Sequence, residues 1–439
     1  MFKKYDKYKD TGIKYIGKIP QNWDLLRIKD YTYLKGRIGW QGLRNDDFLD
    51  NGNYYCVTGT DFSNGKIDWK NCYFVDKFRY EQDKFIQLRE NDLLITKDGS
   101  IGKIALIYDL PKKTTLNSGV FVSRPLKNKY NNYYLYWLLY SKVFTDFIDE
   151  MKNGSTIQHL YQNVFERFIY CLPGDYEQKL IADYLKESTL KIDETIELLE
   201  AKKNNYLELR QRVIFEAVTK GLNKASFKDS GINWVGDIPE NWYKDRLKNI
   251  FNERSVRNLD KQTGEPITTN ILSVMKDIGV INHRDKGLVG NKMSEDITGY
   301  KIVHPNDIVV NKMNVIIGSV GISKEFGALS VVYIILITKA DCSPRYYDYV
   351  FRVKAFQKSL RKIATGILEI REAVNMNLFK GLELPKPPKE EQIEIANYLD
   401  EKTSKIDEIV KTIDENIDRL KEYKKVLIND TVTGKIKVI

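Results

Sequence analysis

Two stretches set an aspartate and a lysine five residues apart beside a small-residue turn: NDLLITKDGSIGK from Asn91 to Lys103, and NDIVVNKMNVIIGS from Asn306 to Ser319. Asp92 with Lys97, and Asp307 with Lys312, are the residue types of a metal-dependent nuclease. Cleavage of that kind needs several carboxylates to hold Mg²⁺. The residue before each lysine is Thr96 or Asn311, so the cluster is missing. The chain also lacks a Gly-x-x-x-x-Gly-Lys-Ser/Thr phosphate loop, a His-Glu-x-x-His and a Gly-x-Ser-x-Gly, and no Asn-Pro-Pro-aromatic tetrapeptide or glycine-rich cofactor loop suggests a methyltransferase. Cys56, Cys72, Cys171 and Cys342 form no Cys-x-x-Cys pair, and His159, His283 and His304 sit near none of them. Neither catalysis nor a metal site is expected, and the cysteines read as reduced thiols.

What remains is binding. Lys and Arg suit phosphates or guanine, and Asn suits adenine. The candidates are Arg37, Arg44, Lys97, Ser100 and Lys103 in the first half, with Arg257, Arg284, Lys286, Lys312 and Asn314 in the second. Singly each is an ordinary surface residue; their grouping on loops at matching places in two halves is what suggests DNA.

The elements that must position these loops occur twice. EQKLIADYLKESTLKIDE, Glu177 to Glu194, returns as EEQIEIANYLDEKTSKIDE, Glu390 to Glu408, within two long helical stretches. Every seventh residue there is apolar: Leu185, Ile192, Leu199, Tyr206 and Val213, then Leu399, Ile406, Ile413, Leu420 and Leu427. That is a coiled-coil seam. Ile181, Ile196, Ile395, Val410 and Ile417 add a second row, interrupted by Lys203 and Thr403. At about 1.5 Å per residue such a helix is roughly 65 to 70 Å long and needs another long helix to lie against. Off the seam, Tyr184, Leu198, Leu207 and Ile214, with Tyr398, Ile409, Val426 and Ile428, face either other subunits or the chain's own globules. Asp175 with Gln178 reads as a capping box, Pro387-Pro388 punctuate the second start, and Gly221 and Gly434 end the helices.

The opening segment also repeats. Gly12, Gly17, Pro20, Asn22 and Trp23 match Gly231, Gly236, Pro239, Asn241 and Trp242, a constant offset of 219 residues. A turn followed by a tryptophan pins the start of each globule. Strand-turn-strand segments and an aromatic helix (Tyr133 to Glu150; Arg345 to Ile363) follow in both halves. Lys35 to Leu88 and Glu253 to Tyr300 share no register, so one scaffold presents two different surfaces.

Length and composition agree. A chain of 439 residues, 42% hydrophobic, is expected to form two or more domains. The net charge of +10 is compatible with a polyanionic partner and decides little alone. MFKKYDKYKD has no signal-peptide run and Val331 to Thr338 is too short to span a bilayer, so the expected location is cytoplasmic.

Two variable globules, each opened by Gly-x-Ile-Pro-x-Asn-Trp and closed by a Glu-Gln-x-x-Ile-Ala-x-Tyr-Leu helix with Lys-Ile-Asp, resemble the specificity subunit of type I restriction-modification enzymes. The resemblance runs from about Lys9 to Lys435. It implies an α+β protein: two α/β target recognition domains in pseudo-twofold tandem repeat, separated by two long helices forming an antiparallel coiled coil. The expected domains are 1–174 and 223–388 for target recognition, with 175–222 and 389–439 as the conserved helices. By the same resemblance each domain reads half of a bipartite site in double-stranded DNA, and the helices set the spacer and dock two modification (methyltransferase) subunits. Restriction (motor-nuclease) subunits join for cleavage. The chain itself is then non-catalytic, with S-adenosylmethionine, ATP and Mg bound by partner subunits. One departure stands out: Lys97-Asp98-Gly99-Ser100 has no echo at Lys312-Met313-Asn314-Val315. A non-DNA coiled-coil scaffold with two protein-binding heads fits the repeats and heptads equally well.

Overall fold

The computed structural model describes residues 3–151, 159–223, 226–287, 293–365 and 373–438. The chain forms two compact units, Met1–Leu199 with Glu415–Ile439, and Glu200–Asp414. Each unit therefore holds one globule and a portion of both long helices.

In the first unit the core is a four-stranded antiparallel sheet, ordered Ile104–Leu106, Leu93–Thr96, Val120–Pro125, Thr32–Gly36. Leu93–Thr96 is buried at every position, so its near-continuous apolar run suits a strand covered on both faces. Asn91 starts it in the left-handed region, at φ 65, and Asp92 accepts the Arg89 N–H at 2.8 Å. Asn tolerates that backbone and Asp closes the turn. The second unit repeats this with Phe251–Arg254, Tyr333–Thr338, Ile308–Asn311 and Val320–Ile322, in the corresponding order. There Asn306 has φ 71 and Asp307 accepts the His304 N–H at 2.8 Å.

The two aspartates are thus turn residues, and each is also locked in a buried ion pair. Asp92 takes Arg124 Nε and Nη2, both at 2.6 Å. Asp307 takes Arg254 at 2.8 and 3.1 Å. Fork-shaped pairing of this kind engages both oxygens of each carboxylate.

The repeated opening segment is a structural anchor. Trp23 is fully buried and donates from Nε1 to Glu177 at 3.1 Å; Trp242 does the same to Glu391 at 2.9 Å. The glutamine beside each glutamate ties down two more segments. Gln178 accepts the Asn131 N–H and donates to Pro173 O, while Gln392 accepts the Ser343 N–H and donates to Pro387 O, all at 2.8 to 2.9 Å. The Glu-Gln repeat is accordingly a junction between the globule and the first turn of its helix. Gln178 bonds Asp175 only at 3.4 Å and Asp175 already lies inside the helix, so its main side-chain partner is the Pro173 carbonyl rather than a capping box.

The long helices run Asp175–Lys220 and Lys389–Val432, 46 and 44 residues. All ten seam residues are buried or half-buried. In the second unit Lys203 pairs with Asp414 and Arg210 with Asp407, so as one number rises by seven the other falls by seven and the helices are antiparallel. In the first unit Lys424 pairs with Asp193 at 2.7 Å. Lys203 therefore interrupts the second apolar row with an ion pair, and Thr403 donates back to Leu399 O at 2.7 Å. Helix ends fall where the glycines stand: Gly221 and Gly434 have φ 71 and 73. Beyond the seam, Ile214 and Ile428 are buried in their own units, and Tyr398 packs against the second core. Tyr184 is half-buried, whereas Leu198, Leu207, Ile409 and Val426 are exposed.

The aromatic segments break where one helix is expected. The first forms Asn132–Tyr140 and Lys142–Met151, because Ser141 Oγ donates to Leu138 O at 2.7 Å and accepts the Val143 N–H at 3.2 Å, capping both ends. The second forms Pro344–Arg352 and Lys354–Ser359 around an extended Val353.

Candidate nucleic-acid interface

The loop after the central strand of the first unit is closed by Thr96. Its hydroxyl donates to Ser100 O at 2.5 Å and accepts the Lys103 N–H at 2.9 Å. Gly99 and Gly102 take positive φ to complete the turn, leaving Ser100 exposed near its tip and Lys103 exposed at its base, opposite Thr96. A distant segment returns to this loop. Leu160 N–H donates to Lys97 O at 2.7 Å, Asp98 and His159 form a backbone bridge, and His159 Nδ1 lies 2.6 Å from Asp98 Oδ1. Lys97 is half-buried, its Nζ 5.2 Å from the centroid of the buried Phe121 ring.

Lys97, Asp98, Phe121, His159 and Leu160 line a cavity of about 460 Å³ with Lys35, Arg37, Tyr161 and Gln162, whereas Ser100 and Lys103 lie outside its lining. Arg37 is not free to read DNA from it. The side chain is 2% exposed, and its donors go to Leu116 O, Gln41 O, Gln82 Oε1, Arg79 O and Thr115 Oγ1. Burial lowers its pKa from the usual guanidinium value. Arg37 is a buried strut of the globule. Arg44 is exposed, does not line this cavity, and precedes the short 3₁₀ turn Asn45–Asp47.

In the second unit Lys312 O accepts the Val374 N–H at 3.0 Å, the counterpart of Lys97 and Leu160. Asn314 is exposed, and its carbonyl accepts the N–H groups of Ile317 and Ser319. Met313 stands where Asp98 does, and Ala373–Val374 where His159–Leu160 do, so the acid–imidazole pair has no counterpart. Residues 366–372, just before this return, lie outside the described residues. Arg284 (exposed) and Lys286 (half-buried) share the 3₁₀ turn His283–Lys286, and Arg257 is exposed beside a bridge to Lys301.

Sequence reasoning thus finds Lys97, Ser100 and Lys103 on one loop and Lys312 with Asn314 on the other. It misses Lys35, His159 and Tyr161. Asp98 is legible as a loop residue, but its partner lies 61 residues away and no local pattern signals the pairing. Among the described residues, no group of three or more His, Cys, Asp or Glu could hold a metal ion, and no helix is long and apolar enough to cross a membrane.

Each unit carries a polar loop surface at the same sheet edge together with portions of both long helices. Residues 20–209 match the family described as type I restriction modification DNA specificity domain. The MjaVIII type I restriction enzyme specificity subunit of Methanocaldococcus jannaschii is 27% identical, the alignment covering 98% of this chain and 97% of that one. Among solved structures, the HsdS subunit of Thermoanaerobacter tengcongensis aligns over 95% of this chain and 98% of its own with a TM-score of 0.55, at 16% identity. A chain from a study of assembly and conformational transition in the type I R-M system aligns over 95% and 99% with a TM-score of 0.69, also at 16% identity. These likenesses support the fold. The chain is thus similar over nearly its whole length to type I restriction enzyme specificity subunits, and residues 20–209 carry their DNA specificity domain.

Proposed function

We propose that the two globules read the two halves of a bipartite target in double-stranded DNA, and that the halves differ in sequence. The observation that carries this reading is the duplication itself: one sheet, one tryptophan anchor and one helix junction built twice, carrying unlike loops at the same place. A framework repeated so closely serves to present what is not repeated. The paired helices set the gap between half-sites, and their exposed Leu198, Leu207, Ile409 and Val426 offer apolar surface to modification subunits. The chain contributes recognition rather than chemistry. S-adenosylmethionine, ATP and Mg are bound by the modification and restriction subunits.

The test is co-expression with a modification subunit, followed by single-molecule mapping of methylated adenines. The expected outcome is a split motif with two unlike halves and a fixed gap, lost when this chain is omitted. Random methylation from a soluble, active complex would favour a scaffold without DNA specificity. Binding should also fall steeply with salt, as phosphate contacts release counterions.

A further inference from the structure

Lys35, on the strand Thr32–Gly36, and Lys97, in the loop after Leu93–Thr96, converge on one cavity, each near an aromatic ring. The acidic group in its lining is Asp98, and that carboxylate is engaged by His159. Tyr161, 62% exposed, also lines the cavity, and Phe85, 65% exposed, lies beside Lys35. Cations interleaved with exposed rings suit a nucleic acid.

The histidine is fixed more firmly than a surface side chain needs to be. Its backbone is bridged to Asp98 and its Nδ1 is held by the same residue. A carboxylate at Nδ1 keeps the proton there, so Nε2 is the remaining polar atom and, in the neutral ring, an acceptor. A carboxylate this close disfavours a phosphate. An acceptor held in place suits instead the exocyclic amino group of adenine or cytosine in the major groove.

We propose that this cavity is the base-reading subsite of the first globule. His159 is its specificity-determining residue, Asp98 positions the ring, and Lys35 and Lys97 take the flanking phosphates. The second globule has Met313 and Ala373–Val374 at these places, which makes the two half-sites unlike in kind as well as in sequence. This inference rests on the DNA-reading function.

The experiment maps adenine methylation by the full complex carrying wild-type chain, His159→Ala, Asp98→Ala or Asp98→Asn. The expected result for His159→Ala is relaxed discrimination at one base pair of one half-site, by roughly tenfold or more, with the gap and the other half unchanged. Asp98→Ala should relax the same base pair, and Asp98→Asn, which keeps an acceptor for Nδ1–H, should restore part of the discrimination. An unchanged motif would overturn the proposal, and so would degradation of both halves, which would mark His159 as part of the framework. If His159→Ala abolishes methylation, competition binding with duplexes scrambled in one half decides. Retained preference for the other half alone supports the subsite, and loss of both overturns it. Failure of the underlying function looks different, because the wild-type complex would then show no bipartite motif. Lys35→Gln and Lys97→Gln should weaken binding evenly across sequences and each lower the salt slope by about one; a base-specific change instead would overturn the phosphate assignment.

Discussion

The first globule holds Asp92 with an arginine from the strand Val120–Pro125, while the second holds the matching Asp307 with one from Phe251–Arg254, the counterpart of Thr32–Gly36. The acid stays in place and its cation arrives from a different strand. Other bonds of the two frameworks are matched: Trp23 and Trp242 donate to Glu177 and Glu391, and the phenol hydroxyls of Tyr134 and Tyr346 donate to Val432 O and Val218 O near the end of a long helix. The comparison separates what the fold demands, a paired buried carboxylate, from what it leaves open, the source of the pair. The loops show the same division. Lys97 and Lys312 both accept a returning backbone N–H, yet only the first loop carries an acid–imidazole pair among the described residues.

The sharpest way to break the equivalence of the frameworks is at the tryptophans. Trp23→Ala and Trp242→Ala should each cost about 3–5 kcal/mol, with the loss of hydrogen-exchange protection centred on the globule that carries the change. A much smaller penalty on one side would mean that the anchors are not equivalent. Next come the arginines. Removing either strands a buried carboxylate, so Arg124→Met and Arg254→Met should each destabilise their own globule by about 3 kcal/mol. Denaturation of the two variants side by side checks whether the pair is worth the same when it is built from different strands.

The helix-ending glycines sharpen the comparison further. Alanine at positive φ costs about 1 kcal/mol in either place. At Gly434 an added Cβ would also stand 2.4 Å from Pro20 carbons, whereas at Gly221 its nearest neighbour is the flexible end of Glu391 at 2.9 Å. Gly434→Ala should therefore lower the melting temperature more than Gly221→Ala, and the reverse order would contradict the packing described.

The smallest expected effect is on acid stability. In the second globule burial pushes Asp245 up, but hydrogen bonds from Asn249, Lys386 and the Arg246 N–H outweigh it and hold its pKa below the usual carboxylate range. Asp341 is also lowered, chiefly by its hydrogen bond from Lys386. A carboxyl depressed in the folded state contributes stability above its unfolded pKa and loses it as pH falls through the folded value. Lys386→Met should therefore lower stability at neutral pH and flatten the loss below about pH 4; Asp341 is exposed and Asp245 only half-buried, so the change is modest. In the first globule burial raises Asp61 despite its hydrogen bonds from Thr58, so acidification adds stability there rather than removing it. Urea titrations of Lys386→Met and Asp61→Asn across pH 3 to 7 should accordingly show opposite trends.

Much of this was legible in residues met in order. The heptads announce the seam, Gly221 and Gly434 the helix ends, and Trp23 with Trp242 the doubled anchor, because periodicity, left-handed backbone and large apolar rings act locally. The break at Ser141 escaped, since a serine reads as helix surface until its hydroxyl is seen taking the Val143 N–H. Arg37 is the instructive case among the candidate DNA contacts: an arginine in a variable segment has the chemistry of a DNA contact, and only packing against Thr115 and Gln82 shows its donors already spent.

The sequence by itself determined the duplication, the helix pair and the class of protein, because a repeat is a property of order along the chain. Only the tertiary structure decided which side chains share a cavity. Lys35, Lys97, Asp98 and His159 meet because Thr32–Gly36 reaches the sheet edge beside Val120–Pro125 and Leu160 folds back onto the Lys97 carbonyl. Contacts between residues 61 positions apart are set by backbone pairing, and no local propensity encodes them.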